Sequence, residues 1–189
     1  FYTGTAYLTS YGTSPTGAAL SRTLVLSLGI IAGVVMALGV ILSAIYSDRL
    51  GRRTLIMASC AAAAVWSLLL FPLLDTRSPV AFAVGLIVTL GIMGLAYGPV
   101  GAFLPETFPT RYRYTGAGVS YSLAGIVGGA IPPLVSAPLA ATFGSFSIGV
   151  LLCGLSLLSL FCTAALAETK DSDLRLAQPR VAIPVDTAG

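Results

Sequence analysis

The chain has 189 residues, 56% hydrophobic and only 9% charged, with a formal net charge of +3 and no histidine. Soluble domains carry roughly 25% charged residues, so a mean hydropathy of +0.93 excludes a soluble domain, which would need far more polar surface to stay dissolved. Nucleic-acid binding is excluded as well, because the cations are spread over short turns and form no single basic face.

Cys60, Cys153 and Cys162 all fall in apolar runs, and with histidine absent neither a disulfide framework nor a metal site is expected. No cofactor motif, phosphate loop or nucleophile and base pair occurs, so no cofactor and no enzyme activity are expected. The chain opens at Phe1 without an initiating Met or a basic n-region, and reads as a piece of a longer protein with no secretory signal.

Residues 1–11 are half the length of a membrane span and predict the end of a truncated helix. Thr3, Tyr7 and Tyr11 stand four apart on one face, a hydroxyl stripe that suits either a water-filled pathway or an interfacial aromatic belt. Residues 12–21, with Pro15 and Gly17, read as a loop. Residues 24–46 carry no charge and reach the ~20 residues a helix needs to cross the hydrocarbon core. Their Gly29, Gly33 and Ala37, four apart, predict a face for close helix packing.

Residues 47–53 hold four charges, Asp48, Arg49, Arg52 and Arg53, and predict a short aqueous turn made tight by Gly51. Residues 54–74 form a second uncharged span, with Trp66 its only indole and an expected place at the periphery of the bundle. After a turn at 75–79, residues 80–104 make a long span whose second half gathers Gly91, Gly94, Gly98 and Pro99. Gly94, Gly98 and Ala102 predict another close-packing face, and Pro99 a kink, since proline removes a backbone donor. Such weak points survive in a membrane where protein or water satisfies the backbone, so this helix is expected to line an interior.

Residues 105–113, with Glu106, Arg111 and Arg113, form a second charged turn. The next 54 residues, 114–167, carry no charge and would run ~80 Å as helix, so they predict two spans, 116–141 and 146–167. The first aligns Tyr121, Gly125, Gly128 and Pro132 on one face; the second is rich in Leu and is expected to face lipid. Residues 168–189 are charged, contain two prolines and show no apolar period, and read as a disordered aqueous tail. Five crossings place the two charged turns and the tail on one side, with eight of the ten Lys and Arg residues; by the positive-inside tendency that side, and the C-terminus, is cytoplasmic.

The run Asp48-Arg49-Leu50-Gly51-Arg52-Arg53 between two spans resembles the second copy of the D-R-x-G-R-R/K loop signature of the major facilitator superfamily, found between the eighth and ninth helices. Pro105-Glu106-Thr107-Phe108-Pro109-Thr110-Arg111-Tyr112-Arg113-Tyr114-Thr115-Gly116, followed by Tyr121 and Gly128-Gly129-Ala130-Ile131-Pro132-Pro133, resembles the loop and eleventh helix of the metabolite:proton symporter branch. Members of that branch carry organic acids and osmolytes such as shikimate, 2-oxoglutarate, citrate or proline and betaine. The resemblance implies an all-α polytopic bundle, the C-terminal six-helix domain of a twelve-helix carrier, with five complete spans, a partial first one and the N-terminal half missing.

It also implies a function: secondary active transport of a small polar metabolite across the cell (inner, plasma) membrane by proton symport and alternating access. Asp48, Arg49, Gly51, Arg52, Arg53, Glu106, Arg111 and Arg113 are the expected elements of a cytoplasmic gate, with topology anchoring at lipid phosphates as their simpler role. Tyr2, Tyr7, Tyr97 and Tyr121 are expected either as substrate contacts or as packing residues with satisfied hydroxyls. The expected partners are the lipid bilayer, a metabolite, protons and the missing half, which would hold the proton site, because these spans contain no titratable carboxylate or amine. The competing reading is a truncated membrane module with a structural or interaction role and no transport of its own. A channel is disfavoured for want of a continuous polar stripe across several spans.

Overall fold

The computed structural model describes residues 5, 7–14 and 17–166. Tyr2, Thr3 and the tail at 168–189 therefore lie outside the described residues. Six helices follow in chain order: α1 (Leu8–Thr13), α2 (Arg22–Leu50), α3 (Arg52–Leu74), α4 (Pro79–Glu106), α5 (Arg113–Phe143) and α6 (Phe146–Ala165). Helices α2 to α6 are each long and apolar enough to cross a membrane, and the chain is a multi-pass membrane protein. At 29 residues, α2 extends about 43 Å at the standard rise, beyond a ~30 Å hydrocarbon core, which favours tilt.

The boundaries have local causes. Ser21 caps α2, its side chain accepting from the Leu24 amide at 3.4 Å. Its end is set by Gly51, which sits at φ 96° and gives its amide to the Ser47 carbonyl. Helix α3 begins at the next residue, so a single glycine in a backbone region closed to L side chains turns the chain between two helices. Pro79 opens α4 at a position where its missing N–H costs nothing. The helix then continues through Pro99 and Pro105.

Helices α2 and α4 pack closest, through small residues. A Cβ on Gly94 would lie 2.5 Å from the Met36 carbonyl oxygen, one on Gly98 would collide with the Ser43 hydroxyl, and Gly39 faces the Gly91 carbonyl. Buried Ser43 donates to the Gly94 carbonyl at 3.2 Å and to that of Val40 at 3.1 Å. This polar tie between the helices sits one residue before Leu95, whose carbonyl loses its usual i+4 donor to Pro99.

Two expectations differ from this arrangement. Among the described residues the Gly29 and Gly33 face does not serve as the packing face of α2: none of their atoms lies within 4 Å of a Cβ built on either. Helix α2 turns Ala32, Met36, Gly39 and Ser43 to α4, and leaves Ile30, Ile31, Val34, Leu38, Ile41 and Ile45 exposed. Helix α3 is also less peripheral than expected, since it lies between α4 and α6 and buries Ile56, Ala64, Leu70, Phe71 and Leu74. Helix α6 leaves Leu158 and Phe161 exposed but closes on α3 at Gly149, where a Cβ would come within 2.6 Å of the Ser67 carbonyl oxygen.

The core gathers at the Asp75 end of the bundle, where Leu8, Val25, Phe71, Phe82, Leu86 and Ile148 pack together. Helix α5 stands largely apart, exposed along the whole of residues 121–128. Among the described residues nothing lies within 4 Å of a Cβ built on Gly125 or Gly128, although Gly128 lines a cavity with α3, α4 and α6, while Pro132 is buried.

Candidate functional site

The ends of α2, α3 and α4 converge on Arg52. One guanidinium nitrogen, Nη2, reaches Asp48 Oδ1 at 3.3 Å, four residues back across the Gly51 turn, and the other, Nη1, forms an ion pair with Glu106. Arg52 and Glu106 are sheltered, with side chains 18% and 17% exposed, whereas Asp48 is 71% exposed. Asp48 and Glu106 both occupy the last turn of a helix, where unpaired carbonyls make the local potential negative, and Arg52 the first turn, where it is positive. Each charge is disfavoured where it stands. Their mutual pairing offsets this and links the start of α3 to the ends of α2 and α4.

Arg53 turns the other way. Its Nη2 donates to the Ala164 carbonyl at 2.5 Å, in the last turn of α6, satisfying an acceptor the helix cannot and placing a cation where the dipole favours one. Arg111 lies over the Tyr112 ring, 5.3 Å from its centre, and Arg113 starts α5 with its Nε buried and unpartnered. Among the described residues neither pairs with Glu106. Of the expected gate residues, the structure thus joins Asp48, Arg52 and Glu106 directly, with Gly51 as their turn and Arg53 as the link to α6.

The tyrosines divide. Tyr97 and Tyr121 face one cleft of about 290 Å³ between α4 and α5, beside Leu104 and Pro105 and so next to Glu106. Tyr7 lines a separate, partly open cavity of about 440 Å³ bordered by parts of α3 to α6. It stacks on Tyr11 at 6.2 Å and packs on Phe71 at 6.2 Å.

Several polar features were not anticipated from the sequence. Trp66 donates through Nε1 to Thr89 at 2.9 Å, joining α3 to α4 at the wall of the Tyr7 cavity. At the other end of the bundle Ser145, preceding α6, donates to the Asp75 carboxylate at 2.9 Å, and Tyr11 reaches the Leu74 carbonyl at 3.4 Å. A third cleft, about 660 Å³, opens between α1 and α2 and is lined by hydroxyls and Arg22. Its only sequence signal is Thr5, Thr9 and Thr13 at the same four-residue spacing that marks Tyr7 and Tyr11.

Residues 1–180 match the family described as sugar (and other) transporter. The chain belongs to that family, within the major facilitator superfamily. Among curated relatives, the inner membrane metabolite transport protein YhjE of Escherichia coli is 33% identical over 177 residues, covering 92% of this chain and 40% of the relative. A putative metabolite transport protein of Haemophilus influenzae is 34% identical over 145 residues, 77% of this chain and 33% of the relative. The shikimate transporter of E. coli is 31% identical over 148 residues, 75% of this chain and 32% of the relative. The chain thus spans between a third and two fifths of the length of these relatives. No solved structure matches it significantly. The all-helical bundle is a partial major facilitator fold, and the family is one of carriers, not enzymes.

Proposed function

We propose that this chain supplies the C-terminal six-helix domain of a secondary active carrier for a small polar metabolite, an organic acid or osmolyte, worked by alternating access and proton symport. The observation that carries the reading is the Arg52 fork, which ties the ends of α2, α3 and α4 through one sheltered and one exposed carboxylate. A carrier needs contacts at one face that hold in one state and release in the other, and an ion pair whose members are each misplaced on their own helix dipole suits that duty.

In this reading the Arg52 end faces the cytoplasm, together with the C-terminus, because the Lys and Arg residues concentrate there. Arg49, Arg111 and Arg113 complete the gate and meet lipid phosphates, and Asp48, the exposed member of the fork, is free to move between partners. Tyr97 and Tyr121 form the polar wall of the substrate pathway, with Tyr7 nearer the opposite face. Coupling to protons falls to a part of the carrier outside this chain, since the uncharged cores of the five spans carry no Asp, Glu, Lys, Arg or His. The carrier's other half covers the exposed face of α5 at residues 121–128 and the Gly29 and Gly33 face of α2, which no described residue of the chain packs against.

The test is uptake of labelled organic acids and betaines by cells expressing the full reading frame, with an imposed pH gradient. Proton-driven accumulation of one class, lost in Arg52→Ala and Glu106→Ala at preserved membrane levels, is expected. Absence of uptake across both classes would remove the reading.

A further inference from the structure

The cleft between α1 and α2 lies at the Asp75 end, away from the fork, and no part of the reading above uses it. It holds about 660 Å³. One wall is the hydroxyl face of α1, and the other is the start of α2, with Arg22, Val25 and Leu26.

The hydrogen bonding of these groups is unequal. Thr9 donates its hydroxyl to the Thr5 carbonyl at 2.5 Å, and Thr13 to the Thr9 carbonyl at 3.2 Å, so both present lone pairs to the cleft. Ser10 and Arg22 donate to nothing among the described residues. The one acid described at this end, Asp75, is occupied by Ser145. An exposed guanidinium without a counter-ion does not sit in lipid, so the cleft is wet.

We propose that this cleft is an entry site for a small hydroxylated carboxylate, captured at the outer face before it reaches the substrate pathway. Arg22, with its planar set of donors, takes the carboxylate, and Ser10 gives it a further donor. The Thr9 and Thr13 oxygens accept from the ligand's hydroxyls, and Val25 and Leu26 cover its carbon skeleton. The inference rests on the carrier reading for its purpose and for which face is outside, but its chemistry can be measured without transport.

The experiment places a reporter cysteine at Thr9 in the full carrier, otherwise free of cysteine and reconstituted in phosphatidylcholine vesicles. Rates of modification by negatively and positively charged methanethiosulfonates are compared. Arg22→Gln is expected to lower the anionic-to-cationic rate ratio by about 3- to 10-fold, the effect of one unit charge several ångströms away in a hydrated cleft, and Arg22→Lys to retain it. Quinate, a ring polyol with a carboxylate, should slow the labelling, and inositol, a ring polyol without one, should not. Thr13→Cys repeats the measurement if Thr9→Cys fails to assemble.

A ratio unchanged by Arg22→Gln overturns the proposal, as does equal protection by inositol. Protection seen only when phosphatidylglycerol is added would assign the site to a lipid headgroup and overturn it too. A carrier that labels as expected but moves no solute keeps the site and loses the function, so the two failures are distinguishable.

Discussion

Arg52 and Arg53 are consecutive residues that hold opposite sides of the bundle: the first pairs with Glu106 of α4, the second with the Ala164 carbonyl at the end of α6. Adjacent side chains in the first turn of a helix project about 100° apart, so one turn of α3 clamps two neighbours that do not touch each other through these residues. The Gly51 turn is what brings both arginines to the start of a helix, within reach of two helix ends.

Removing the second clamp should act locally. Arg53→Gln withdraws a charge-assisted bond, a class worth about 1.5–3 kcal/mol, from the last turn of α6. Hydrogen exchange of the amides at 160–165 is expected to rise about tenfold, with exchange in α4 unchanged. Equal acceleration in both helices would mean that Arg53 supports the whole bundle.

The turn itself makes a second expectation. Gly51 holds φ 96°, and an alanine there must either adopt a conformation costing about 1–3 kcal/mol or unwind the end of one helix. Gly51→Ala should lower the melting temperature of the detergent-solubilised protein by several degrees. It should also weaken the Arg52 pair with Glu106, read as raised accessibility of a cysteine placed at Glu106.

Glycines at the same spacing should not respond alike. Gly98→Ala drives a methyl into the Ser43 hydroxyl and the Val40 carbonyl, an overpacking cost of about 1–3 kcal/mol. Gly29→Ala and Gly33→Ala meet open space within the chain. Thermal stability of the isolated domain should fall for the first and stay level for the other two; a loss at Gly29 comparable to that at Gly98 would show that α2 packs by its other face.

The contrast shows what is legible in the sequence. The all-helical membrane bundle is, because Asp48 to Arg53 and Glu106 to Arg113 interrupt long uncharged runs, and an uncharged run of ~20 residues has one stable form in lipid. The choice of packing face is not. In water a helix hides its apolar stripe, but α2 is apolar all round, and its small residues fall on two faces, Gly29 with Gly33 and Gly39 with Ser43. Nothing in their spacing says which pair meets α4. Likewise Tyr97 and Tyr121 are marked by their hydroxyls, yet only the fold shows that they share a cleft and that Tyr7 lines another. The Arg52 fork lies between: Asp48 and Arg52 are four residues apart in sequence, but Glu106 is more than fifty residues away and joins them only through the packing of α4.

The polar tie between α3 and α4 is a further test of that packing. Trp66 gives its indole N–H to Thr89, and interhelical bonds of this kind average about 0.6 kcal/mol in membranes. Thr89→Val should therefore destabilise only slightly, about the same as Trp66→Phe, and the pair together little more than either alone, since one bond cannot be lost twice. Additive losses measured by unfolding in bicelles would mean that Trp66 contributes through packing in its cavity and not through this bond.

The Arg52 and Glu106 pair supports the sharpest expectation, because exchanging the charges separates pairing from position. Each residue sits at the wrong end of its helix for its sign, so Arg52→Glu alone and Glu106→Arg alone each place a charge where the dipole favours it but leave two like charges facing one another. Both single variants should lose most uptake. The double exchange, made in an Asp48→Asn background so that no second carboxylate faces position 52, restores the attraction and also satisfies both dipoles, so the closed arrangement should be more stable than in that background, by about 0.3–1 kcal/mol per helix end. In the proposed cycle a gate that closes too well opens too seldom, and the double variant is expected to bind substrate poorly from the side that the pair closes and to turn over more slowly, with membrane levels restored. Uptake at the natural rate would show that the pair only fastens the helix ends and takes no part in the cycle.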